Sequence, residues 1–196
     1  MKCRPYHHGD LRTALLVRAE QALQEKGPTE LSLRELARDI GVSPAAPSRH
    51  FKSKQALLDA LALRGFDRLV AMLISAGEEA GESFAELLTV VTRAYMEFAA
   101  ANPALLELMY SVKHDPIASP ELAKALQRMP AIADQLIEEG QRRGEVREGP
   151  VDEIGPPVVA ALHGYATLAI VGAVPADRIE RGLEDMVAFV LRGCAP

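Results

Sequence analysis

Two prolines three residues apart, Pro44 and Pro47, stand in the stretch GVSPAAPSRHFKSK (residues 41–54) of a chain otherwise dense in Ala and Leu. Proline has no N–H and crowds the preceding turn, so in a helix interior it costs about 3 kcal/mol, but in the first turn it is tolerated. The segment can therefore hold only a very short helix, roughly 44–50. Ser43 is expected as its N-cap, Pro44 as its first residue, and Pro47 at the edge of its first turn. Such a helix presents its N-terminal end, where free N–H groups and the positive dipole suit phosphate oxygens. Ala45 and Ala46 add no bulk, so the backbone can sit deep in a major groove with Ala methyls against thymine methyls. Arg49, His50, Lys52 and Lys54 ring the site with donors.

The surrounding residues read as helix, turn, helix over 32–51. Leu33, Leu36, Ala37 and Ile40 line one face of a first helix, Gly41 supplies a tight turn, and Val42 and Phe51 anchor the second helix on either side. From these residues alone two readings stay open: a DNA-reading motif, and a structural hairpin with a solvated charged face.

Charge distribution bears on the choice. The net charge of −5 over 196 residues is not that of a nucleic-acid binder as a whole. Residues 1–70, however, hold 12 Lys and Arg against 8 Asp and Glu, and the remainder hold 10 against 19. A basic head on an acidic body is the pattern expected of a DNA-binding end joined to a part that binds something else.

With 48% hydrophobic and 5% aromatic residues, and few β-branched runs, the chain reads as helical throughout. Ser32…Glu35 and Ser83…Glu86 fit capping boxes, and Asn102-Pro103 and Ser119-Pro120 fit an N-cap followed by proline. Gly27, Gly41, Gly144 and Gly193 fit helix stops. Nine helices follow, near 9–26, 33–40, 44–50, 54–79, 83–101, 103–113, 120–143, 156–172 and 175–192. Pro130 is expected to kink or split the seventh.

In the body, Val158–Gly172 is apolar nearly all round, so it must be covered on both sides. Ala160, Ala161, Gly164 and Ala169 permit close helix contact. Ile179, Leu183, Met186, Val187 and Val190 give the last helix one apolar stripe. Either a second subunit completes a four-helix bundle, with Leu162, Tyr165, Ile179, Leu183, Met186 and Val190 at the seam, or the bundle is wholly intramolecular. Met72, Tyr95, Phe98, Leu106, Met109, Tyr110 and Leu126 are soft or aromatic side chains at helical spacing, which serve as core or line a pocket. His163 faces either that pocket or the seam.

No nucleophile elbow, phosphate loop or H-E-x-x-H pattern is present, so no enzyme, no catalytic residue and no cofactor are expected. Cys3, His7 and His8 lack a fourth metal ligand nearby; no metal is expected, and the tail reads as an arm near DNA. Cys3 and Cys194 form no disulfide pattern, and the N-terminus lacks the apolar region of a secretory signal. A cytoplasmic protein with no membrane span is the expectation.

The stretch LSLRELARDIGVSPAAPSRHFKSKQALLDAL (residues 31–61) closely resembles the DNA-binding head of the TetR (tetracycline-repressor-type) family of bacterial regulators. Leu11-Arg12 through Glu25-Lys26-Gly27 resembles that family's first helix. His163-Gly164, and the lead-in Tyr6-His7-His8-Gly9-Asp10-Leu11-Arg12, resemble one subgroup. The resemblance implies that Arg34 reaches a base edge or phosphate and that Ala45 and Ala46 face bases. It implies that Ser32, Ser43, Ser48, His50 and Lys54 hold the phosphate backbone. It also implies an inducer cavity in the body and dimerisation through the last two helices. One departure stands out: the family usually carries an aromatic residue, most often Tyr, where this chain has Ser48.

The expectation is thus an all-α chain of about nine helices. A three-helix helix-turn-helix head (1–54, extending to about 65) joins, through a long fourth helix, a helical effector-binding and dimerisation body (55–196). Its function would be a homodimeric transcriptional regulator, a repressor released from a palindromic double-stranded DNA operator by a small hydrophobic effector. The rival is a helical small-molecule-binding or scaffold protein whose DNA binding is weakened or lost.

Overall fold

The computed structural model describes residues 8–112 and 119–196. Cys3, Tyr6 and His7 of the expected arm lie outside the described residues. Every regular element among those described is helical, with no strand. In order these are α1 (His8–Lys26), α2 (Leu33–Asp39), α3 (Lys54–Glu78), α4 (Phe84–Ala101), α5 (Pro103–Val112), α6 (Pro120–Arg142), α7 (Val151–Ile170) and α8 (Ile179–Cys194). Single 3₁₀ turns occupy Pro47–Arg49 and Ala176–Arg178. None of the described helices is long and apolar enough to cross a membrane.

Local signals set many of these ends. At α4 the capping box forms: the Glu86 amide donates to Ser83 Oγ at 3.2 Å and the Ser83 amide donates to Glu86 Oε2 at 3.3 Å. The Ser83 hydroxyl also donates to that carboxylate at 2.7 Å, which holds Glu86 below the usual carboxylate pKa. Ser119 caps α6 through the Leu122 amide at 3.2 Å. Gly27, Gly41 and Gly144 take positive φ at the stops expected of them.

Elsewhere the expectations need correction. Ser32 makes no side-chain cap, and the Glu35 carboxylate that could have reached back to it lies beside Lys26 and Arg38 instead. The seventh helix is not split, since α6 continues through Pro130. Gly193 lies inside α8, which ends at Cys194. The late apolar helix starts at Val151, five residues early. Pro150, extended at φ −64° and ψ 130°, precedes it, and Asp152 and Glu153 occupy its first turn, so Pro156 and Pro157 fall inside. The helix expected over 44–50 is only the 3₁₀ turn, leaving eight α-helices among the described residues rather than nine.

The chain divides into two compact units. One comprises the residues up to Gly65 together with Asn102–Ala123. Here α1 buries Leu11, Leu15, Leu16, Ala19 and Leu23 and packs on α2 and α5. A Cβ at Gly65 would lie 2.6 Å from Met109 Sδ and 3.2 Å from Leu105 Cγ, so the absence of a side chain lets α3 and α5 approach.

The other unit comprises Phe66–Ala101 and Lys124–Pro196. Its core joins Phe84 and Leu88 of α4, Ile137 of α6, Val146 of the segment that follows α6, Ile154 and Val158 of α7, and Val187, Val190 and Cys194 of α8. The amide opening α4, at Phe84, donates to Glu145 Oε2 at 2.5 Å, a cap supplied from 61 residues away. A Cβ at Gly140 would sit 2.5 Å from Val146 Cγ2 and 3.1 Å from the Phe84 ring. Neither a β-branched side chain nor a packed ring retracts easily. Gly140→Ala is therefore expected to cost about 1–3 kcal/mol, despite a gain of about 1 kcal/mol in helix propensity, read as a lower urea midpoint. An unchanged midpoint would mean that the contact relaxes. Thr92 is 1% exposed, and its Oγ1 has no hydrogen-bond partner among the described residues. Thr92→Val removes that orphan while keeping shape, and should stabilise by about 1 kcal/mol in the same assay.

Candidate nucleic-acid interface

The site is built from the end of α2. The Gly41 amide donates to Arg38 O at 3.1 Å and the Val42 amide to Ala37 O at 2.9 Å, with Gly41 at φ +73°. This closes the helix and turns the chain away. Pro47 has no N–H to reach back to Ser43 O, and the Ala46 amide takes that carbonyl at 2.9 Å. The segment tightens accordingly: Arg49 bonds Ala46 O at 3.3 Å, and the His50 and Phe51 amides both bond Pro47 O at 2.9 Å. A single 3₁₀ turn aligns too few peptides for a macrodipole, so side chains and shape must carry any recognition. Phe51, 2% exposed, and the buried Pro47 fix the turn to the core.

The expected DNA-facing residues gather here. Arg34, Ser43, Ala45, Ser48 and Arg49 are exposed, while Ser32, Ala46, His50 and Lys54 are half-buried. Two of them are already engaged. The Ser48 hydroxyl donates to Ala45 O at 2.7 Å, so its single proton is spent locally. Lys54 Nζ donates to Thr29 O at 2.5 Å, which fixes the ammonium and leaves two further donors. No residue near Thr29 marked that contact in the sequence.

Cations in this unit fall into two sets. Arg18 pairs with Glu25 and Asp39, Lys26 and Arg38 with Glu35, and Arg64 with Glu20. Arg34, Arg49 and Lys52, around the turn, have no carboxylate partner among the described residues. The overall acidity of the chain therefore does not neutralise this surface.

The residues expected to line a pocket do not fall in one unit. Leu106, Met109 and Tyr110 lie on α5, where Leu106 and Met109 are buried core. Met72, Tyr95, Phe98, Leu126 and His163 lie in the other unit, with Met72 exposed. There Tyr95 Oη and His163 Nδ1 share a hydrogen bond of 2.8 Å, with the rings edge to face at 6.4 Å. His163 thus faces α4. No local signal could have paired residues 68 positions apart.

The residues expected at a subunit seam also separate. Leu183 and Val190 are buried among this chain's own side chains. Leu162, Ile179 and Met186 are half-buried, and Tyr165 folds onto its own chain, its hydroxyl donating to Ile179 O at 2.7 Å. Burial, with Asp185 and Glu180 nearby, raises the Tyr165 pKa. What remains apolar and exposed is Leu168 and Ile170 on α7, Val171 just after it, and Phe189 on α8, the last 67% exposed. Phe189 also rims a groove of about 210 Å³ with Pro157, Ala161 and Cys194. Phe189 was not among the seam residues read from the sequence, although it lies between Met186 and Val190.

Comparisons with known proteins agree with this geometry. The family model described as bacterial regulatory proteins, tetR family, matches residues 15–61, and that described as Tetracyclin repressor-like, C-terminal domain, matches residues 88–190. No curated protein matches the chain. Among solved structures, a protein of unknown function from Rhodococcus sp. RHA1 is 41% identical at TM-score 0.92, over 99% of this chain and 100% of that one. A tetR-family regulatory protein from Rhodococcus RHA1 is 22% identical at TM-score 0.73, over 94% and 98%. The regulator PfmR from Thermus thermophilus is 24% identical at TM-score 0.71, over 91% and 97%. With both halves of the fold matched and the helix-turn-helix surface in place, the chain belongs to the TetR family of bacterial transcriptional regulators.

Proposed function

We propose that this regulator is a cytoplasmic homodimeric repressor that reads a palindromic operator and is released by a small hydrophobic effector. The observation that carries the reading is the bulk-free turn with Ala45 exposed and Ala46 half-buried, flanked by Arg34, Arg49 and Lys52 without carboxylate partners among the described residues. Alanine methyls suit base edges, and uncompensated cations suit phosphates. Ser32, Ser43, His50 and Lys54 contact the DNA backbone. Residues 1–54, extending to about 65, form the head, and residues 55–196 form the effector and dimer body. The His163-Gly164 pair supports membership of the subgroup that shares it.

The exposed Leu168, Ile170, Val171 and Phe189 support a seam built from α7 and α8 of two copies, related by a two-fold axis. Two heads then address major grooves about 34 Å apart. The effector favours a conformer in which α3 shifts and the head spacing no longer fits. It releases DNA only to the extent that it binds that conformer more tightly.

Selection from a randomised duplex library tests the reading. An enriched palindrome is expected. Uniform weak binding to every sequence would favour the second reading, a ligand-binding protein that has lost its operator. The Ser48 hydroxyl favours that rival, since it donates to Ala45 O and lacks the reach of an aromatic residue there. Ser48→Tyr would then recover binding.

A further inference from the structure

A cation outside the helix-turn-helix belongs to the same surface. Arg12, exposed on α1, holds its guanidinium carbon 5.4 Å from the centroid of the Phe51 ring. Phe51 follows the recognition turn directly, and its amide bonds Pro47 O within that turn. Arg12 has no carboxylate partner among the described residues. It differs in this from Arg18, six residues further along α1, which pairs with both Glu25 and Asp39. A guanidinium held over a ring keeps its N–H donors unspent, and the buried ring limits where it can swing.

We propose that Arg12 is a DNA-backbone contact, oriented on the Phe51 ring so that α1 grips a phosphate beside the recognition turn. The proposal rests on the DNA-binding reading above and adds a residue from outside the motif. A phosphate contact is independent of sequence, so a mixed-sequence duplex of about 30 base pairs serves as the probe. Its affinity for the full chain would be measured from about 50 to 200 mM salt.

Arg12→Met keeps the apolar stem and loses the charge. It should weaken binding and make the slope of log K against log salt shallower by about 0.9 for each protomer bound. Arg12→Lys should keep the wild-type slope. Thermal melting of each variant reads the fold separately, and Arg12→Gln carries the same expectation should the Met variant not fold. A Met or Gln variant that is folded and has the wild-type slope overturns the proposal and makes Arg12 a packing residue on Phe51. A wild-type chain that binds no duplex at any of these salt concentrations overturns the DNA-binding reading, and this proposal with it.

Discussion

Ala45→Glu is expected to weaken binding to any duplex by at least about a hundredfold while leaving the fold intact. Ala45 is exposed on the turn, and its carbonyl already accepts from Ser48, so a longer side chain there meets no protein core. Surface changes of that kind alter stability by no more than about 0.5 kcal/mol. In the bound state the same carboxylate would stand against base edges and phosphates. Like charge placed in an interface costs several kcal/mol, and about 2.8 kcal/mol is a hundredfold. Anisotropy with labelled duplex, beside thermal melting, separates the two effects. Binding within threefold of wild type would move recognition away from this turn.

Phe189→Glu is expected to raise the dimer dissociation constant by at least about a thousandfold. A large aromatic side chain that is 67% exposed is unusual on a finished surface, and Leu168, Ile170 and Val171 expose further apolar area. A central aromatic anchor contributes about 2 kcal/mol or more, and a two-fold interface holds two copies, giving about 4 kcal/mol in all. Sedimentation equilibrium reads the shift. Leu183→Ala would be a poor substitute, because Leu183 is 4% exposed within its own chain and its loss would destabilise the protomer itself. An unchanged dimer in Phe189→Glu, or a wild-type chain that is monomeric, would remove α7 and α8 as the seam.

What could be read from the sequence was what neighbouring residues decide. The Ser83–Glu86 box and the stops at Gly27, Gly41 and Gly144 need only residues a turn away. The prolines at 44 and 47 announced a short element for a sound reason. That reason goes further than expected, because the carbonyl a helical residue 47 would bond is taken by the Ala46 amide. What neighbouring residues do not decide are contests with distant partners. Glu35 could have closed a box with Ser32, but Lys26 and Arg38 bind it. Phe84 takes its cap from Glu145, and His163 takes Tyr95. On α8 the apolar stripe correctly announced burial, but periodicity does not say against what. Leu183 and Val190 turn inward, and Phe189, off that stripe, is left outside.

In the proposed complex two copies of this chain grip one DNA site through the turn at Ala45 and the cations around it. Sedimentation velocity of the full chain with its selected duplex, repeated across a salt series, tests this most directly. Two protomers per duplex are expected, with an affinity falling at a log–log slope steeper than about −4, as several phosphate contacts per protomer require. One protomer per duplex, or a slope near zero, would contradict it.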